Sequence, residues 1–116
     1  MVKIDAKKTE RDLILSSNVA INQTRNVIRN LSGTTDKKKA KLMASAQALR
    51  LALKSYFKNH DKKLQKQILG FFDIILEYLS RLIKELHGSE RNDAGSLCDI
   101  FFSLKRDFEI YINNLA

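Results

Sequence analysis

Two histidines, one cysteine and thirteen acidic residues are the side chains of this 116-residue sequence best suited to acid–base, nucleophilic or metal chemistry. Cys98 opens a helical pattern, where a thiolate gains some support. It has no His near it in sequence, and Leu97 and Phe101 flank its turn, so a packed structural thiol is expected. One thiol closes no intramolecular disulfide and completes no cysteine zinc site. His60 falls in a turn and His87 at a helix end, where a cation is favourable on structural grounds alone. Asp73 with Glu77, and Asp99 with Asp107, are spaced like the carboxylates of di-metal bundles, but the Glu-x-x-His pairs of such sites are missing. There is no phosphate loop and no nucleotide fingerprint. A non-enzymatic protein without cofactor or metal is expected.

Binding chemistry is better represented. The net charge is +8, and all of it comes from one stretch. Between Asp36 and Lys66 ten basic residues face two acids, while the rest of the chain is neutral. Arg50, Lys54, Lys58, Lys62 and Lys66 recur every fourth residue, and Lys37, Lys38, Lys39 and Lys41 precede them. Such a face suits phosphates, an acidic protein surface or anionic lipid, or it simply keeps the chain solvated. Aromatic residues are not interleaved with these lysines and no recognition helix is visible, so a protein partner is favoured over nucleic acid.

These groups must be positioned by helices. Composition is 44% hydrophobic and 29% charged with no Pro, which suits long helices and disfavours turn-rich β folds. The length supports one domain over 1–116, with 1–8 as a flexible N-terminus. A first helix is read from Thr9, whose hydroxyl and Asp12 form a capping signal, to Leu31. Its rows are Leu13/Ala20/Val27, Ile14/Ile21/Ile28 and Ser17/Thr24/Leu31, and the two hydroxyls predict looser burial. Gly33 is a candidate left-handed cap. A second helix runs from Asp36 to Lys58, and Asn59-His60-Asp61 stops it and restarts the chain with Asp61 as N-cap.

The third helix, Lys62 to His87, has four apolar rows and either sits centrally or spares a face for a partner. Gly88 to Gly95 reads as a loop. Ser96 and Asp99 then form a capping box for a fourth helix ending near Asn114. The expectation is an all-α, antiparallel four-helix bundle. Charges interrupt the apolar run from Ile68 to Leu86, so it is no membrane span. Residues 1–5 carry no apolar signal core. A soluble cytoplasmic protein follows. Phe71, Tyr78, Phe102 and Tyr111 are the candidate anchors for a partner segment lying beside the third and fourth helices.

Three resemblances bear on function. Ala46-Gln47-Ala48-Leu49, Leu53, and Ile68-Leu69-Gly70-Phe71-Phe72-Asp73 resemble the middle of the FliS family of flagellin export chaperones. Asn92-Asp93 and Ser103-Leu104-Lys105-Arg106-Asp107 are similar to its later segments. The family's early Pro and its Leu-Tyr pair are replaced here by Asp12-Leu13-Ile14-Leu15-Ser16-Ser17. This resemblance implies a cytosolic chaperone that binds the C-terminal segment of flagellin in apolar grooves and prevents premature polymerisation. In size, charge and helix number the chain also resembles the immunity proteins against pediocin-like bacteriocins. Arg81 and His87, five residues intervening, resemble the nuclease motif of HEPN domains, with Leu82 where that motif carries a polar residue. On one helix these two side chains would diverge by about 120°.

Overall fold

Heptad spacing translates directly into burial. A computed structural model describes residues 6–115, and its four helices are α1 (Ala6–Asn30), α2 (Asp36–Asn59), α3 (Lys62–Glu85) and α4 (Gly88–Asn113). There is no strand among the described residues. Each helix buries side chains at alternating steps of three and four, as a coiled-coil-like seam demands. On α2 these are Leu42, Ala46, Leu49, Leu53 and Tyr56; on α3 they are Ile68, Phe72, Ile75, Leu79 and Leu82. Each helix packs on the next and α4 returns to α1, with no diagonal pairs. The result is an antiparallel four-helix bundle measuring 47 × 27 × 19 Å. Among the described residues no helix is long and apolar enough to cross a membrane.

Two of the turns follow their local chemistry. Thr35 caps α2 by accepting the Lys38 N–H at 3.3 Å, and Asp61 caps α3 by accepting the Lys63 N–H at 3.0 Å. His60 ends α2 in the left-handed region, φ 52°, a conformation that a residue with a Cβ adopts at a cost.

Other local readings are overturned. α1 already runs from Ala6, so Thr9 lies inside the helix and is not its cap. Of the expected flexible segment 1–8, residues 6–8 are helical and 1–5 lie outside the described residues. Gly33 does not take the left-handed conformation; among the glycines only Gly88 does, at φ 60°. The expected loop Gly88 to Gly95 is the first two turns of α4, and Ser96 sits mid-helix. Burial of Ala94 and Leu97 in register with Phe101 outweighs the weak helix preference of Gly, Ser, Asn and Asp there. Ser17 and Thr24 are fully buried, so α1 does not pack loosely. Each hydroxyl donates into its own helix, to the Ile14 carbonyl at 2.6 Å and the Ala20 carbonyl at 2.7 Å, and so needs no outside partner.

The broad apolar arc of α3 is consumed by its flanks. Leu64, Phe71 and Tyr78 on one side, and Leu69, Leu76 and Ile83 on the other, are half-buried against the core. Ile74 alone among its large apolar residues stands exposed, so α3 has no free apolar face.

Candidate functional site

The four candidate anchors do not form one site. Tyr111 belongs to the core, 3% exposed, and only its edge reaches the surface, where it lines a cleft with Asp12 and Ile110. Its ring meets Tyr56, Phe57 and Phe108, and its hydroxyl donates to Glu10 Oε1 at 3.1 Å. His60 Nε2 lies 3.0 Å from the same oxygen, and Tyr56 Oη accepts from Gln65 Nε2 at 2.6 Å. Burial above all, then this hydrogen bond to Glu10, pushes the Tyr111 phenol well above its ordinary pKa. Phe71 and Tyr78 share a helical row with Glu85, which pairs with Lys38 of α2 at 3.1 Å, so they border the α2–α3 seam. Phe102 is 61% exposed and stands on the outer face of α4. It neighbours the row containing Lys105, whose ammonium crosses to Asp73 of α3 at 2.9 Å. Phe102 and Tyr78 therefore flank α3 on opposite sides.

The basic residues also separate. Lys37, Lys41, Lys54, Lys58, Lys62 and Lys66 are exposed, most of them along the outer face of α2. Arg50 turns inward and donates to Asn18 Oδ1 of α1 at 3.3 Å, while its Nε is buried without a partner. Lys39 folds back to donate to the Leu31 carbonyl at 2.6 Å, neutralising part of the C-terminal end of α1.

Sequence reasoning did not locate the concave surfaces, because helix periodicity says which residues face inward but not which flanks meet. One lies where α1 ends against α2 and α3, a cleft of about 300 Å³ that brings Tyr78 together with Lys38, Lys39 and Lys41. Three more line up along the α1–α4 seam. Gln23, Asn26 and Asp93 border the first; Leu15, Val19, Ile100 and Asp107 the second; Asp12, Ser16 and Ile110 the third. These clefts lie on the α1 side of α4, away from α3. The signal was present in part, since Leu15 and Val19 fall outside every row of the α1 stripe.

No family model, no curated protein and no solved structure matches this chain.

Groups capable of catalysis are dispersed. α3 ends at Glu85 and His87 occupies the N-cap position of α4 without a side-chain cap, so Arg81 and His87 do not share a helix. Arg81 instead pairs with Glu77 at 2.6 Å. Among the described residues no three His, Cys, Asp or Glu side chains gather as metal ligands. Cys98 is half-buried, and burial first, then the charge of Asp99, pushes its thiol above the usual range. Alkylation of native protein by iodoacetamide at pH 8 should therefore run well below the rate of the same thiol in urea. Equal rates would show an accessible, reactive cysteine.

Proposed function

We propose that this protein is a non-enzymatic cytoplasmic binding protein that holds an amphipathic helical segment of another protein in its α1–α4 groove. The observation carrying this reading is the row of Leu15, Val19 and Ile110, 61%, 54% and 49% exposed, along a seam that three clefts open from end to end. A bundle with a complete core gains nothing by displaying such side chains in one line, whereas a helix laid into the seam would cover them. Asp12, Asp93, Asp99 and Asp107 border these clefts, so the complementary segment is basic on the flanks of its apolar stripe. The similarity to FliS-type sequences supports a specific form of the reading, in which the segment is the C-terminal part of an export cargo kept from assembling.

The double variant Leu15→Ser with Val19→Ser separates binding from folding. Both sites are exposed, so stability should change by no more than about 0.5 kcal/mol per site. Binding of a fluorescent Leu/Lys amphipathic peptide, long enough for about four helical turns, should weaken at least tenfold, a loss of about 1.4 kcal/mol. An undiminished anisotropy change, or equal binding of a Leu/Glu peptide, would overturn the assignment.

A further inference from the structure

We propose that the cleft beside Tyr78, on the opposite side of the bundle from the α1–α4 groove, binds a phosphate monoester carrying an apolar body. Four cations reach this cleft from two helices: Lys38, Lys39 and Lys41 from the first turns of α2, and Arg81 from α3. Glu85 is the one acid lining it, which leaves a local excess of three positive charges. The bundle neutralises these charges only in part. Lys38 pairs with Glu85, both side chains 57% exposed, and Arg81 pairs with Glu77, which lies outside the cleft lining, at 2.6 Å; both pairings sit on the open surface and are of small energy. Lys39 is held by a neutral carbonyl. Lys41 is exposed and has no hydrogen-bond or ion-pair partner among the described residues. Thr34, just before the α2 N-terminus, also lines the cleft, so the positive end of that helix adds to the same field. Like charges gathered in a concavity repel one another until an anion enters, and a dianion offsets more of the excess than a carboxylate.

The floor defines the rest of the ligand. Leu31, Leu42 and Leu82 are buried, and Ile28 and the Tyr78 ring are half-buried around the same space. A bare inorganic ion would make no use of that surface, whereas an ester with an aliphatic or aromatic body would cover it. The volume of about 300 Å³ sits at the lower end for small-molecule sites, which suits one small group rather than a polymer. A soluble ester and a lipid headgroup share this chemistry. The inference is independent of the groove assignment, since the two surfaces share no lining residue and carry opposite charge.

Phenyl phosphate, titrated calorimetrically into the full chain at about 50 mM salt, where phosphate contacts are weakly screened, tests the assignment. One site is expected, with Kd on the order of 1 mM or tighter. Lys41→Glu and Arg81→Gln should each weaken it about tenfold, the scale of a lost charge-assisted contact. Lys54→Glu, on the same helix but outside the cleft, should change it less than about twofold. Inorganic phosphate should bind about tenfold more weakly than phenyl phosphate, reflecting the apolar floor. Displacement of phenyl phosphate by phosphatidic acid vesicles would place the ester on lipid; vesicles without effect would place it on a soluble molecule. Absent binding, equal loss in Lys54→Glu, or indifference between the two phosphates would overturn the site.

Discussion

Phe108→Ala is expected to remove about 3–5 kcal/mol of folding stability, the range for deleting a buried aromatic ring. Phe108 is completely buried, and its ring meets those of Tyr56 at 5.8 Å and of Phe72 and Tyr111 at 6.4 Å. The cluster joins three helices, so the cavity cannot collapse without moving more than one of them. A domain of this size has about 5–15 kcal/mol in hand, and the loss would take a large share of it. Phe102→Ala, six positions earlier on the same helix, should change stability by only about 0.5 kcal/mol because its ring already faces water. Urea unfolding of both variants measures the contrast. A similar midpoint shift in the two would mean that the burial pattern of α4 is wrong.

The second large effect is a loss of stability in alkali. The folded state holds the Tyr111 phenol above its usual pKa, through burial first and the hydrogen bond to Glu10 second. In the unfolded chain the same phenol ionises near 10. Above that pH the unfolded state releases a proton that the native state retains. The contribution of this group is therefore complete below about pH 10 and declines as pH rises toward the folded value, by at most about 1.4 kcal/mol per pH unit. Unfolding free energies measured across about pH 9–12 should fall along this slope. Tyr111→Phe removes the titrating group and should flatten it. An unchanged slope in Tyr111→Phe would mean that other groups govern alkaline unfolding.

Much of the architecture was legible because a heptad pattern is a statement about one helix at a time. The rows Ile68/Ile75/Leu82 and Phe72/Leu79/Leu86 read from the sequence are the rows buried on α3, and Asp61 announced its cap correctly. The segment from Gly88 to Gly95 was not legible, since its composition favours a loop and only the tertiary burial of Ala94 makes it helical. Tyr111 was legible as core from its spacing to Leu104 and Phe108, whereas the cleft its edge lines with Asp12 and Ile110 was not, because it depends on the facing helix. Surface sites were the least legible. Tyr78 and Lys41 lie 37 positions apart in the chain, and their meeting in one cleft depends on which flank of α3 turns toward α2. That is decided by the hand of the bundle, which no periodicity within one helix encodes.

Both ends of the α1–α4 seam are fastened by a glutamate. Glu90 accepts the Ser32 N–H at 3.2 Å and its hydroxyl at 2.9 Å, and Glu10 accepts from Tyr111 at the other end. The other three seams are each joined by a short covalent turn, but this one is closed only by non-covalent contacts between residues distant in the chain. Closing it during folding brings together residues 58 and 101 positions apart, against an entropy cost that rises by roughly 0.6 kcal/mol with each doubling of the loop. The two glutamates therefore act as latches on the one joint of the ring that the backbone leaves unbridged. A molecule lying between α1 and α4 would bridge that joint as well and is expected to slow its opening.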